Sequence, residues 1–485
     1  MTGIDLKSFL SLLPQTVLLV WASLLLLVDL FIPKNKKAWT AVLAGLGLVI
    51  SLILVLLEWG HPSLTYNNMA VVDNFAVYLN VLFAVSGLVA IAIAYDYLNR
   101  MGIQRGEYYS LLMFSVSGMM MMASAADLIM FFLALELLSI PLYILSGFAV
   151  PRSESEESAL KYFILGAFSS GFVLYGTALI YGGTHFTALK EIISAIKMDQ
   201  TDMGLVTIGA GLLLVGFSFK VAVVPFHMWT PDVYQGAPSP VTAFMSIGAK
   251  AAGFAALIRV FTIAFPALSP VMAPLFGVLS AMTMIVGNVA AVSQSNIKRM
   301  LAYSSIAHAG YILMALVPYG NVKTAANSTA AAILYLVVYG MTSLGAWAVI
   351  SAVEKADGQG LGIRDYSGLG KRHPWLAAAM TVFMLSFTGV PPLIGFWGKF
   401  FLFRTAIEGG YIVLAVIGLL TSIVSAWYYL RVVVMMYMRD GEVSSSRDLW
   451  VNLAAISMAV LVILAGLIPT GLFNLALQAI ANGIV

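Results

Sequence analysis

The chain contains no cysteine. That absence excludes disulfides, thiolate-held iron–sulfur clusters and thiol catalysis. Charge is also scarce. Asp, Glu, Lys and Arg make up 10% of the 485 residues, against about 25% in ordinary soluble domains. The five histidines, His61, His185, His227, His308 and His373, are scattered, with no paired spacing for haem or metal. A net charge of +3 gives no basic excess of the kind a nucleic-acid partner requires.

What the chain has in quantity is apolar sequence. It is 61% hydrophobic, with a mean hydropathy of +0.95. This is the composition of an all-α polytopic membrane protein. The first apolar run, near 11–32, is followed by KNKK. A cleavable signal would carry its positive charge before a shorter run, so this segment reads as a retained helix.

Apolar windows of about 20 residues mark spanning helices. They fall near 11–32, 38–58, 74–95, 107–124, 127–149, 157–182, 203–232, 240–261, 271–292, 299–317, 328–352, 374–404, 411–438 and 450–476, which predicts about fourteen spans. The seventh and twelfth are interrupted. With the N-terminus outside, the odd-numbered connections hold Lys34, Lys36, Lys37, Arg100, Arg105, Arg152, Lys161, Lys298, Arg299, Lys355, Arg364, Lys371, Arg372, Arg439 and Arg447, with Arg431 nearby. The other side holds only Lys7, Lys190, Lys197, Arg259, Lys323 and Arg404. This asymmetry is what the positive-inside rule asks for. It places both termini outside the cytoplasm.

Connections are short, so residues 1–485 read as a single membrane domain. Its parts are 1–100, 107–261, 271–438 and 450–485. Within 183–202, ALKEIISAIKM has the spacing of a short interfacial helix. The Gly-rich segment 353–373 reads as a solvated loop. Ser153, with Glu156 three residues on, has the pattern of a capping box. The run MMMM at 119–122 reads as flexible packing.

Four charges fall inside spans. Glu136 lies nine residues after Asp127, about 13 Å into the membrane at helical rise. Lys220, Lys250 and Lys399 are the others. A lysine in hydrocarbon costs roughly 2.5–3.5 kcal/mol on insertion scales, and intramembrane charges mark functional sites by default. Removed from water, an amine can lose and regain a proton where a surface lysine does not. Three lysines and a glutamate at membrane depth therefore point to a proton relay. Lys161, early in the sixth span, is a candidate partner for Glu136.

Pro141 follows Glu136 by five residues, as Pro225 follows Lys220. Each proline leaves a carbonyl beside the charge without a donor. Pro391 and Pro392 interrupt the span that carries Lys399. Two interrupted spans in corresponding positions suggest an internal repeat with a midplane site. His308 lies mid-span between the two halves and is a candidate proton carrier. His227, with Asp232 close by in sequence, is a candidate at the cytoplasmic mouth. The hydroxyls of Tyr303, Ser304, Ser305, Tyr339 and Ser343 could hydrogen-bond water along a path.

The motifs ALELLSIPLYIL, FKVAVVPFHMWTPDVYQGAPSPVTAFMS, KRMLAYSSIAHAGYI and GVPPLIGFWGKF are similar to those of the antiporter-like membrane subunits of respiratory complex I. The likeness covers most of the chain. It resembles the N branch rather than L and M: the eleventh span, YLVVYGMTSLGAW, lacks the histidine those relatives carry, and no long amphipathic extension follows the fourteenth.

The resemblance implies two inverted five-helix repeats, spans 4–8 and 9–13, with spans 7 and 12 broken. It implies that Glu136 and Lys220 form a proton-input pair modulated by Lys161, that Lys250 connects, and that Lys399 is the output lysine. It further implies proton translocation coupled to quinone reduction in other subunits. FMN, iron–sulfur clusters and quinone would then belong to partner subunits, with no cofactor in this chain. The partners would be the other antiporter-like subunits, small membrane subunits toward the quinone site, and lipid. The setting would be a bacterial plasma (inner) membrane rather than a thylakoid. The alternative reading is a subunit of a multi-subunit Na+/H+ antiporter or of a hydrogenase- or ferredoxin-linked ion pump.

Overall fold

The structure is a computed structural model. It describes residues 11–33, 36–199, 201–356, 358–443, 445–446 and 448–481. Lys7, Lys34 and Arg447 lie outside the described residues.

The chain is mostly helical. It begins with α1 (Leu13–Phe31), α2 (Ala38–Leu57), α3 (Asn74–Arg100), α4 (Glu107–Ser124), α5 (Leu128–Ser146) and α6 (Ser153–Thr184). A small antiparallel pair, Ser63–Thr65 with Ala70–Val72, joins α2 to α3. The segment expected to be interfacial forms α7 (Leu189–Lys197), which buries Leu189, Ile192 and Ala195 on one face. Then come α8 (Met203–Val221), α9 (Trp229–Gly236) and α10 (Ser239–Arg259), the last prolonged by a wider turn at Val260–Ala264. The second half contains α11 (Ser269–Val292), α12 (Ile297–Leu316), α13 (Ala325–Val353), α14 (Pro374–Thr388), α15 (Ile394–Glu408), α16 (Ile412–Met438), α17 (Leu449–Leu467) and α18 (Pro469–Ala481).

Among the described residues, eleven helices are long and apolar enough to cross a membrane. Three of the fourteen windows fall short of that measure, each for a visible reason. The helix α4 is short, with Ser, Tyr and Gly diluting its apolar residues. The helix α12 opens with Lys298 and Arg299 and carries two serines and His308. The last window is divided between α14 and α15, of 15 residues each.

Side-chain caps start several helices. Asp73, Asp127, Asp202 and Asn296 each accept backbone N–H groups of the turn that follows. Ser153 does not. It is the first helical residue of α6, and Arg152, extended at ψ 116°, occupies the cap without a side-chain bond. The expected capping box is absent because the helix starts one residue earlier than the pattern requires.

The core is set by α10 and α13. Every residue of Ser239–Arg259 is buried, and the apolar 18-residue stretch of Ala325–Val353 is 89% buried, whereas that of Leu13–Phe31 is only 33% buried. Small residues let α10 sit this deep. A Cβ on Gly253 would stand 2.6 Å from Val221 Cγ1, so α8 and α10 meet at close approach beside Lys220.

Odd-numbered connections gather at one end. Arg100 bonds the Ser351 carbonyl and pairs with Asp448. Arg152 bonds Ala356 O at 2.5 Å, Arg299 pairs with Asp232 at 2.7 Å, and Arg431 bonds Gln294 O at 2.5 Å. At the opposite end Asp73 meets Arg259, and Asp127 bridges to Ala188. The 353–373 segment is less solvated than its composition suggests. Ile363, Tyr366 and Leu369 are buried, and Ile297 and Ile363 exchange backbone bonds with Leu361 and Ser295. Apolar residues spaced through polar text pin it across the start of α12.

Candidate functional site

The helix α8 ends at Val221, and Ala222 adopts a left-handed conformation at φ 62°. The Val223 N–H returns to Ser218 O at 2.9 Å, an ordinary way to satisfy the last carbonyls. Lys220 therefore lies in the final turn. It is 4% exposed, and its ammonium donates to Ser139 Oγ at 2.7 Å and Tyr162 OH at 3.1 Å. Tyr162 is stacked on Trp229 of α9, with ring centroids 4.5 Å apart. Trp229 Nε1 in turn donates to Phe219 O across the break. The break thus fixes the aromatic partner of the lysine.

Glu136 is half-buried. Its Oε1 has no hydrogen-bond partner, and no cation stands within 4.0 Å of the carboxylate among the described residues. Glu136 and Lys220 are therefore not in direct contact. Ser139, one turn along α5 from Glu136, holds the ammonium instead. Pro141 remains inside a continuous α5. Lys161 is also not the partner of Glu136. It is 39% exposed and pairs with Glu157 at 2.6 Å and Asp232 at 2.7 Å. Neighbours on a helix point about 100° apart, and it is Tyr162 that faces Lys220.

Lys250 lies in the fully buried α10 and is 2% exposed. Its ammonium donates to the carbonyl and, at 2.5 Å, to the hydroxyl of Ser305. It also sits 5.2 Å from the centre of the Tyr339 ring.

Three residues on from Ser305 comes His308, which is 2% exposed. Its Nδ1 meets Tyr335 OH at 2.8 Å and its Nε2 meets Tyr429 OH at 3.0 Å. Tyr429 also bonds Ser304. The stripe Ser304, His308, Tyr311 on α12 leads to Lys399, whose ammonium is 5.1 Å from the Tyr311 ring centre. Lys399 donates to Ser422 Oγ at 2.7 Å and Thr388 O at 3.1 Å.

Each lysine thus has hydroxyl and aromatic partners, Lys250 and Lys399 a carbonyl as well, with no carboxylate in contact. An amine so placed can release or take a proton without breaking an ion pair. The structure brings Lys250, His308 and Lys399 onto one polar line along α12, with Lys220 on the helix packed against α10. It leaves two of the expected residues aside. His227 is half-buried in the 222–228 turn with Nδ1 unpartnered, while Asp232, expected beside it, is taken by Lys161 and Arg299. Among the expected hydroxyls, Ser304, Ser305, Tyr339 and Ser343 lie on this line. Tyr303 instead lies under Arg299.

Sequence reasoning missed Ser139, Tyr162, Tyr335, Tyr429 and Ser422. Only Ser139 carried a local signal, its position one turn from Glu136. Among the described residues no three His, Asp or Glu come together as metal ligands would.

The sequence pattern of the family described as NADH:quinone oxidoreductase/Mrp antiporter, TM, matches residues 125–425. That stretch includes Lys220, Lys250, His308 and Lys399, while Tyr429 lies just beyond it. A protein of Trichlorobacter lovleyi named NADH-quinone oxidoreductase subunit N is 44% identical over 475 residues, covering 96% of each chain. One of the same name from Chloroflexus aggregans is 45% identical, covering 95% of each. A chain in the structure of respiratory complex I from Thermus thermophilus with bound aureothin superposes with a TM-score of 0.82 at 36% identity, covering 96% of this chain and 99% of that one. These matches run the length of a multi-pass membrane protein with an antiporter-like fold, and this chain belongs to the NADH:quinone oxidoreductase/Mrp antiporter family, among relatives named subunit N.

Proposed function

We propose that this chain translocates protons as the N-type membrane subunit of an NADH:quinone oxidoreductase, driven by quinone reduction in other subunits. The observation that carries the reading is the line Lys250–Ser305, His308–Tyr335/Tyr429 and Lys399–Ser422, buried in a chain 44% identical to a subunit N. FMN, iron–sulfur clusters and quinone belong to the partner subunits. The chain sits in a bacterial inner membrane beside the other antiporter-like subunits. Its basic connections face the cytoplasm and both termini lie on the other side.

The architecture comprises fourteen spans, with residues 107–261 and 271–438 as inverted five-helix repeats and α8/α9 and α14/α15 as broken spans. The matched helix ends support this. Ala222 and Gly389 are both left-handed, at φ 62° and 90°. Val223 bonds Ser218 O as Val390 bonds Leu385 O. A proline, Pro225 or Pro392, follows three residues after each. The charges do not match: Lys220 precedes its break and Lys399 follows its own. Aligning Arg259 of the first repeat with Arg431 of the second sets Lys250 against Ser422, and that serine binds Lys399.

In this reading Glu136 and Lys220 are seen dissociated, with the ammonium turned to Ser139 and Tyr162. A change of charge at one end of the row alters the protonation of the next group. The lysine row then passes a proton by way of His308 and releases it through Lys399. The test is Lys220→Ala or Glu136→Ala in the assembled complex, with proton translocation measured in vesicles. Loss of pumping is expected. Wild-type pumping by both variants would contradict the reading.

A further inference from the structure

Glu354 caps the C-terminal end of α13 and is 3% exposed. Sequence composition places it in a polar loop, yet it is among the most buried acids of the chain. Its Oε2 accepts a hydrogen bond from Ser239 Oγ at 2.5 Å, and its Oε1 accepts one from Tyr97 OH at 3.0 Å. Among the described residues the one cation within 4.0 Å of the carboxylate oxygens is Arg152, at 3.7 Å, while Arg100 reaches the backbone carbonyl of Glu354 at 3.4 Å. Lys298, 1% exposed, faces the same region but gives its ammonium to Ala237 O at 2.6 Å. A carboxylate serving as a static ion-pair anchor would hold a cation against its oxygens. This one holds two hydroxyls.

Glu354 also lines a cavity of about 500 Å³ at the basic end of the molecule. Arg152, Glu154, Asn296, Lys298 and Asp365 line it as well. The cavity lies between the start of α6, the α9–α10 turn and the 354–362 segment. At about 30 Å³ of liquid volume per water, it is roomy enough for a cluster of them.

On its other side Glu354 touches the start of a polar stripe. Ser239 is the first residue of α10. Ser246 and Lys250 follow at offsets of seven and eleven, so all three lie on one helix face, with Lys250 about 16 Å beyond Ser239. Ser246 bonds Ser343 of α13 at 2.7 Å. One turn back along α13 from Ser343 is Tyr339, whose ring lies under the Lys250 ammonium. Polar groups therefore follow the α10–α13 seam from Glu354 to Lys250, between two deeply buried helices.

We propose that this cavity is a water-filled proton vestibule, and that Glu354 takes protons from it and passes them along the α10–α13 seam toward Lys250. The inference rests on the proton-relay reading above and adds a second point of uptake, separate from Glu136. In the transfer, Glu354 accepts a proton from cavity water. Ser239 Oγ takes it and gives up its own hydroxyl proton toward Ser246, by way of water in the intervening two turns. No bond to carbon changes and no electron moves.

The test uses the intact complex in vesicles, reading NADH oxidation and protons translocated per NADH. Glu354→Gln keeps the size of the side chain and an acceptor oxygen but cannot take the proton. It is expected to slow translocation about fivefold or more, within the range of a lost acid–base group, with Glu354→Asp restoring at least half. Lys250→Ala is run beside it. Wild-type pumping by Glu354→Gln with loss in Lys250→Ala overturns the vestibule alone. Wild-type pumping by both overturns the relay reading as well. A second variant covers failure of Glu354→Gln to assemble. Ala356→Cys puts a thiol in the 354–362 segment, at the cavity mouth, and is treated after assembly with a charged methanethiosulfonate, with the unsubstituted complex as control. Loss of pumping that dithiothreitol reverses supports the vestibule. Unchanged pumping in fully labelled complex contradicts it.

Discussion

The ammonium of Lys399 stands 3.1 Å from the carbonyl oxygen of Thr388. In an unbroken helix that carbonyl would receive the N–H four residues on. That residue is Pro392, which has none. The break between α14 and α15 therefore leaves a backbone acceptor free, and the lysine of the following helix uses it. Lys220 meets its own break otherwise, reaching sideways to Ser139 and Tyr162 on other helices.

This relationship makes Gly389 sensitive. Its φ is +90°, and a Cβ there would stand 3.1 Å from Lys399 Cδ. Gly389→Ala should lower stability by roughly 1–2 kcal/mol through backbone strain and displacement of the lysine. Thermal unfolding of the purified complex checks the first effect. Proton translocation, expected to fall with it, checks the second.

His308 joins two tyrosines, and through α12 it stands between Lys250 and Lys399. His308→Phe keeps the volume and removes both nitrogens. Translocation should drop about tenfold or more, while the complex stays assembled. Tyr335→Phe and Tyr429→Phe together should approach that loss, whereas each alone leaves the ring one partner. Vesicle assays of the four variants measure this ordering, and equal pumping in all would contradict it.

Lys161 is held away from Glu136, the partner its position in the sequence suggests. Its ammonium is engaged by Glu157 and Asp232 at a partly exposed site. Contacts of that kind are worth little and are screened by salt. Lys161→Ala should therefore slow translocation only about two- to threefold, in contrast to Lys220→Ala. A full loss in Lys161→Ala would place that lysine in the relay itself.

Much of this was legible in the chain. Apolar windows located the helices, and a lysine in an apolar run announces itself because burying it is costly. Lys220, Lys250, Lys399 and His308 stood out for that reason. Their partners did not. Tyr162 sits next to Lys161 in sequence yet faces another way, and Tyr335 and Tyr429 reach His308 from 27 and 121 residues away. Glu354 was hidden by its neighbours. It ends a span and opens EKADGQG, where composition indicates solvent, and only the packing of Ile363, Tyr366 and Leu369 encloses the region.

Ion pairs divide by burial. Arg259 grips Asp73 with two nitrogens, the Nη1–Oδ2 bond at 3.0 Å and the Nη2–Oδ1 bond at 2.5 Å, and both residues are almost fully buried. Arg259→Ala leaves that aspartate buried and unpaired, a loss of about 3–5 kcal/mol, visible as a lowered Tm. Lys371 and Asp440 are 74% and 91% exposed. Lys371 holds the Asp440 carboxyl below the usual carboxylate range, so the pair is present above that range and is lost only in acid. Lys371→Ala should leave Tm unchanged at neutral pH.

The central claim is that protons cross this chain through its buried lysines. The most direct measurement is protons translocated per NADH oxidised in vesicles holding the complex with Lys399→Ala, set against the unsubstituted complex. A fall in that ratio with the complex fully assembled is the predicted result. An unchanged ratio would contradict the account.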